Sequence, residues 1–332
     1  MSSVREIASR VGVSVATVSR VINNDPCVSD AMRDKVLKVA NQARYVPKVG
    51  LRSTMNIAFL YTDEPSLDSP FDSALLQGMG ERMEQLRFDL MILRAGRSQL
   101  DHETYTQMLM RKGVRGAVVR TTTRTRSVCE EIATEGFPAV VVGDRFDHPR
   151  ISFVASDSRS SSCDAVEHLI KLGHRSIAVC VNVVDDSDHA DRVAGYRDAF
   201  AQQGLEVDER LIVRTPADRA GGEQVMRRIM AGEGRPTAVY LADPMSAVGA
   251  MHEAKKMGLR VPGDVSIVGF DDGELRHLVQ PVMTAVYQDA KQMGREAFEA
   301  LHELIGRPGK VTAVRRVLPT ILEINDSTAA PG

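Results

Sequence analysis

From residue 57 onward, apolar runs of strand length alternate with amphipathic stretches of helix length. IAFLYT is followed by FDSALLQGMGERMEQLR, DLMILRA by HETYTQMLMRKG, and GAVVR by SVCEEIATEG before PAVVVGD. ISFVAS leads into RSSSCDAVEHLIKLG, and SIAVCVN into RVAGYRDAFAQQG with Arg192 at its opening. LIVRT, AVYLAD and VSIVGFDD complete the strand set. Strands that are apolar throughout and separated by helices predict parallel sheets covered on both faces. There are more strands than one sheet in this length accommodates, so residues 57–328 are expected to form an α/β body of two similar lobes. The closing NDSTAAPG is small and polar, and is expected to fray.

The first 46 residues have a different period. Ser3 and Glu6 have the spacing of a capping box, and Ile7, Ala8 and Val11 then fall on one helical face before Gly12. Ser14 suits the cap of a second helix that buries Val18, Val21 and Ile22. Ser29 opens a third, carrying Val36, Val39, Ala40 and Ala43. Three short apolar faces predict one small all-α head, residues 1–46. Residues 47–56 hold Pro47 and Gly50 and little periodicity, and are expected to be a linker.

Charge sharpens this division. The chain carries −2 overall, but residues 1–50 hold eight Lys/Arg against four acids, giving +4. The remaining 34 basic and 40 acidic residues give −6. A basic head on an acidic body points to a polyanionic partner for the head. No run of about 18 apolar residues is present to span a membrane, and MSSVREIASR lacks the apolar core of a secretory signal. The expected location is therefore cytoplasmic, where Cys27, Cys129, Cys163 and Cys180 are ordinary thiols. No cysteine or histidine pair has metal-ligand spacing, and His168 and His174 are expected to pack or cap, so neither metal nor cofactor is expected. No G-x-S-x-G, H-E-x-x-H or Walker loop occurs, which argues against an enzyme.

Within the head, REIASRVGVSVATVSRVIN has the helix, glycine turn and helix of a helix-turn-helix. The second helix starts near Val15, and its small residues suit a deep seat in a major groove. Val15 and Ala16 offer contact to thymine methyls, and Arg20 can fork to a guanine edge. Thr17, Ser19 and Asn23 are short donors suited to phosphates. An ordinary three-helix bundle with a small-residue surface helix is the alternative.

VREIASRVGVSVATVSRVINN followed by VSDAMRDKVLKVANQARYVP resembles, over residues 4–47, the head of the LacI/GalR family of bacterial transcription regulators. The resemblance implies base-reading positions at Val15, Ala16 and Arg20, and phosphate-facing ones at Ser14, Thr17, Ser19 and Asn23. The linker departs from the family: Pro47 is followed by KVGLRSTMN, several residues short of the usual hinge helix. Thr54 stands where the family places its minor-groove leucine. Leu51 is a substitute wedge, or the segment is a plain tether.

The resemblance continues through HLIKLGHRSIAV, DRVAGYRDAF, RPTAVYLADPMSAVGA, VPGDVSIVGFDD, PVMTAVYQ and LPTILEINDST. It implies a periplasmic-binding-protein-like sensor that takes a small-molecule effector between its lobes, and a homodimer whose heads read a near-palindromic duplex operator. Ligands of open α/β sheets bind beyond the carboxyl ends of strands. Asp144, Asp243 and Asp271 each follow a strand there, and Arg192 follows the SIAVCVN strand and its loop. Such a set can hydrogen-bond the hydroxyls of a sugar-like ligand, or clamp an anion through the arginine. An aspartate after a strand is also a common helix cap. The resemblance places Arg192 and these three aspartates at effector contacts, and Phe71 and Asp72 at the cleft mouth. Where many hexose-binding relatives supply an aromatic, this chain has Pro216, Ala217 and Asp218, and it has no tryptophan. That weakens a hexose reading and leaves a sugar acid, polyol or nucleoside open.

Overall fold

A computed structural model describes residues 3–22, 25, 27–43, 45, 54–101, 103–232, 234–306 and 312–332. Asn23, Leu51 and most of the expected linker lie outside the described residues.

The head comprises α1 (Val4–Val11), α2 (Val15–Ile22) and α3 (Asp30–Gln42). The Ser3 hydroxyl accepts from the Glu6 amide, and Gly12 closes α1 in the left-handed region at φ 77°. The Glu6 carboxylate does not complete the expected capping box; it pairs with Arg10 one turn on, at 2.6 Å. The Ser14 hydroxyl caps α2 through the Thr17 amide at 3.0 Å. Ile7, Ala8, Val11, Val18, Val21, Val36 and Ala40 form the core, joined by Tyr45. Each fully buried aliphatic side chain in such a cluster contributes about 1.5–3 kcal/mol, so three short helices hold together only as a set.

The first lobe begins with β1 (Asn56–Tyr61), α4 (Pro70–Leu86), β2 (Asp89–Arg94), α5 (Ala95–Ser98) and α6 (Tyr105–Arg111). It continues with β3 (Val114–Arg120), α7 (Arg126–Glu135), β4 (Ala139–Val142) and β5 (Ser152–Ser156). The second contains α8 (Ser158–Lys171), β6 (Ile177–Asn182), α9 (Ser187–Gln202), β7 (Ile212–Thr215), α10 (Arg219–Met230), β8 (Ala238–Leu241), α11 (Pro244–Lys256), β9 (Ser266–Asp271) and β10 (Thr284–Tyr287). The chain then crosses back: α12 (Ala290–Gly306) and β11 (Arg315–Leu318) join the first lobe, and β12 (Ile321–Glu323) the second. The sheet orders are β11-β5-β4-β3-β1-β2 and β12-β10-β9-β8-β6-β7. Every recorded pairing is parallel except β12 with β10. The two expected lobes are thus present with matching windings.

Each sheet is covered on both faces, so each lobe has two apolar layers. β5 and β9 are buried along their whole length, which is why they show no alternation of apolar and polar positions. In the first lobe α4 and α12 approach closely enough that a Cβ on Gly78 would lie 1.8 Å from the Lys291 carbonyl oxygen. The predicted fraying of the last residues does not occur. Ser327 is fully buried and donates to the Ile267 carbonyl at 2.5 Å, and His174 and Ser266 bond the Ala329 carbonyl at 2.9 and 3.1 Å. His168 meets the Thr328 hydroxyl at 3.0 Å. Both histidines therefore clasp the tail onto the second lobe.

Candidate DNA-reading face and effector cleft

On α2, Val15, Ala16 and Arg20 are exposed together on the side away from the head core, while Val18 and Val21 are buried. Val15 is 46% exposed, which leaves it available for contact with an apolar group on a partner. The Arg20 guanidinium lies 3.9 Å from Asp25, a loose surface pair that leaves its side chain two-thirds exposed. The hydroxyls of Ser14 and Thr17 are 2.8 Å apart, and that of Ser14 also caps the helix.

In the body, parallel order reverses between β1 and β3 in one lobe and between β6 and β8 in the other. A parallel sheet opens a crevice at such switch points, beyond the carboxyl ends of its strands. A cleft of about 490 Å³ lies there, lined from one side by Ser66, Phe71, Arg120 and Gly143. From the other it is lined by Asn182, Asp186, Asp188, His189, Arg192, Asp243 and Asp272, and by the Pro216–Ala217–Asp218 loop. The volume falls within the range of small-molecule sites.

Of the six residues expected at the effector, Phe71, Arg192 and Asp243 line the cleft. The other three stand behind the wall, because stronger local partners engage them. Asp72 is fully buried and accepts from the Tyr61 hydroxyl at 2.9 Å, the Ser66 hydroxyl at 2.5 Å and Arg120 Nε at 2.7 Å. It thereby aims Arg120, whose guanidinium lies over the Phe71 ring at 4.6 Å. Gly143, at φ 73°, gives this stack room: a Cβ would meet Arg120 Nη1 at 2.6 Å. Asp144 is held by Arg126 at 2.6 Å and by the Ser187 hydroxyl of the opposite lobe at 2.5 Å. Burial raises its pKa, against those donors. Asp271 accepts from the Gly273 and Arg276 amides and from Arg276 Nη1 at 2.8 Å, so it organises its loop while the next residue, Asp272, faces the cleft.

The second lobe supplies a set that sequence reading missed. α9 begins at Ser187, not at Arg192, because Asp186 caps it through the His189 amide at 2.7 Å. This puts Arg192 in the second turn and draws Asp186, Asp188 and His189 into the cleft. The His189 ring sits between two carboxylates, with Nδ1 2.7 Å from Asp186 and Nε2 3.0 Å from Asp243. Burial opposes its charge, but Asp243 and Asp186 prevail and raise its pKa to about 10. Burial would raise Asp186 too, yet the charge and hydrogen bonds of His189 bring it down to about 2. Asp188 Oδ1 has no hydrogen-bond partner, and Asp272 accepts from the neutral Gln288 amide at 2.8 Å. Burial lifts them to about 6 and about 7, against the charge of Arg192. Arg192 donates to the Ala242 carbonyl and stacks 3.7 Å over the Phe270 ring. Among the described residues, three buried atoms at this wall have no hydrogen-bond partner: Asp188 Oδ1, Asp243 Oδ2 and Arg192 Nε. The D-H-x-x-R spacing carried the signal, since i, i+1 and i+4 from a capped helix start share one end of the helix.

Residues 3–48 match the family of bacterial regulatory proteins of the lacI type, and residues 166–328 match the periplasmic binding protein-like domain. The HTH-type transcriptional regulator DegA of Bacillus subtilis is 31% identical over 99% of this chain and 98% of its own. The chain belongs to the lacI family of bacterial regulatory proteins. This lacI-family protein is therefore a DNA-binding transcription regulator, and its relatives are regulators, not enzymes. The HTH-type transcriptional repressor PurR of Erwinia tasmaniensis is 28% identical over 97% of this chain and 96% of its own. The solved transcriptional regulator CelR–cellobiose complex superposes with a TM-score of 0.73 at 30% identity, covering 98% of this chain and 100% of that one. Among the described residues of this lacI-family chain, no helix is long and apolar enough to cross a membrane, and no cluster of His, Cys, Asp and Glu could hold a metal ion.

Proposed function

We propose that this regulator is a repressor whose grip on a near-palindromic operator is set by a small carbohydrate or carbohydrate-like effector bound between the lobes. The observation that carries this reading is the trio of unpartnered buried atoms, Asp188 Oδ1, Asp243 Oδ2 and Arg192 Nε, on one wall of a small-molecule-sized cleft. A buried polar atom without a partner costs about 1–3 kcal/mol, and a bound ligand that supplies the missing donors and acceptor recovers it. A relative of the same length was solved with cellobiose, which agrees with a hydroxyl-rich effector.

The path from cleft to DNA starts at α9. Its first two turns present Asp188, His189 and Arg192 to the cleft, while Ser187 and Asp191, with Asp185 just ahead of the helix, meet the other lobe. The Asp185 carbonyl accepts from the Thr123 amide at 3.0 Å, Ser187 bonds Asp144, and Asp191 pairs with Arg145. Gln288 adds a second link at a crossover, donating to Asp272 at 2.8 Å and bonding the Ser156 hydroxyl. A ligand that pulls on these groups changes how the lobes sit, and hence how two heads in a homodimer are spaced. In the head, Val15, Ala16 and Arg20 read base edges, and Ser14, Thr17 and Ser19 lie toward phosphates, with Asn23 and Leu51 as further contacts.

Selection of duplexes from a random pool tests the DNA half. The full chain is expected to enrich a two-fold symmetric site. Arg20→Ala should cost about 1–3 kcal/mol there and relax one position in each half-site. A uniform loss over all duplexes would reassign Arg20 to phosphate contact. Calorimetry of the full chain with cellobiose, ribose and polyols tests the sensor half; binding that Arg192→Ala leaves unchanged would remove the cleft from the account.

A further inference from the structure

The sensor cleft carries more negative charge than its own cations offset. Six aspartates line it: Asp68, Asp186, Asp188, Asp218, Asp243 and Asp272. Three cations face them, Arg120, His189 and Arg192, and each is already engaged within the protein. Arg120 is claimed from behind by Asp72 at 2.7 Å. His189 is spent between Asp186 and Asp243. Arg192 gives Nη1 to the Ala242 carbonyl and stands 4.0 Å from Asp188.

The acids are unequally occupied. Asp218 caps α10 through the Gly221 amide at 2.6 Å, and Asp272 receives the Gln288 amide. Asp243 stands at the N-cap of α11 but makes no capping bond with its side chain. Its Oδ1 is turned to His189, which leaves Oδ2 unpartnered, and Asp188 Oδ1 is unpartnered as well. Both residues are more than nine-tenths buried. These atoms call for two donors, with one acceptor for Arg192 Nε. A hydroxyl can donate, but it brings no charge to an acid-rich, partly desolvated wall. A phosphate or carboxylate would bring the wrong charge to two atoms that need donors. A protonated amine next to a hydroxyl or ether oxygen supplies donors, charge and acceptor together.

We infer that the effector class is a sugar or polyol bearing a basic amine, held by Asp188 and Asp243 through the ammonium and by Arg192 through a neighbouring oxygen. This rests on the cleft being the effector site. Burial pushes the Asp188 and Asp272 carboxyls up to about 6 and about 7, which agrees with it: their negative charge is costly at this wall, and a ligand cation relieves that cost.

The test is calorimetric titration of the full chain at pH 7.5 with matched triads. Glucose, glucosamine and glucose 6-phosphate form one; cellobiose, the fully deacetylated β-1,4-glucosamine disaccharide and cellobionic acid form another. Within a triad that binds, the amine member is expected to be at least about tenfold tighter than the neutral one, and the acid member at least about tenfold weaker. Asp188→Asn should shrink the amine's advantage to less than about threefold, since the paired charge is gone. An acid member as tight as its neutral parent, or an amine no tighter, overturns the charge reading; the wild-type triads alone decide this, whatever the variant does. Binding by any member that Arg192→Ala leaves unaltered overturns the effector-site reading instead. No binding by any member overturns both.

Discussion

The two lobes have the same winding and face each other across one cleft, yet they contribute different chemistry. The second presents buried polar atoms without a hydrogen-bond partner on Asp188, Asp243 and Arg192, beside the already bonded His189 and Asp272. The first presents Phe71 and Arg120, and the arginine is already bonded to Asp72 and to the Val142 carbonyl. In the proposed reading, one lobe holds the ligand and the other covers it. The difference arises behind the wall, where Tyr61, Ser66 and Asp72 satisfy the first lobe's charge before a ligand arrives. No comparable set satisfies Asp188.

Removing a holding residue should therefore cost more than removing a covering one. Arg192→Ala deletes a buried donor and its stack on Phe270, and is expected to weaken the tightest ligand of the triads by at least about 100-fold, the scale of losing one partner of a buried charged pair. Phe71→Ala removes an aromatic lid face and should cost about tenfold. Titration calorimetry reads both, and equal losses would erase the distinction between the lobes.

A smaller effect separates them by pH. Asp272 and Asp188 have folded-state pKa values near 7 and 6, raised from 3.8, so the folded body binds protons that the unfolded chain releases. Their contribution to stability is complete below about pH 4 and lost as pH rises through about 6 to 7. The wild type should lose more stability between pH 5 and pH 8 than Asp272→Asn loses; equal losses in melting scans would show that Asp272 does not carry this effect. The least effect is expected from Ser187→Ala. Asp144 keeps Arg126 and the Arg145 amide, so loss of the interlobe hydroxyl should shift ligand affinity by only about two- to fivefold.

The same contrast explains what the sequence made legible. Helices α1–α3 and most strands of the body were readable because periodicity and capping residues are local signals. α12 was not picked out, although Met293, Ala297, Phe298 and Leu301 are all buried, and β11 and β12 are short and half-exposed. In the cleft, position after a strand correctly brought Asp243 forward. It also brought Asp144 and Asp271, whose partners, Arg126 and Arg276, lie 18 residues before and 5 residues after them and could not be assigned by spacing alone. Asp188 and His189 were passed over because they precede the apparent start of α9, and only the Asp186 cap moves that start to Ser187. The tail illustrates the limit most simply: a polar ending reads as loose unless His174 and Ser266 are known to wait for it.

In the proposed mechanism, occupancy of this cleft governs the head. This coupling is tested most directly by measuring affinity for the selected operator duplex with and without the tightest-binding triad member, in the wild-type chain and in Arg192→Ala. A shift of at least about tenfold is expected in the wild type and none in the variant, with both binding the duplex equally well when no ligand is present. A shift of the same size in both proteins, or no shift in the wild type at saturating ligand, would contradict the mechanism.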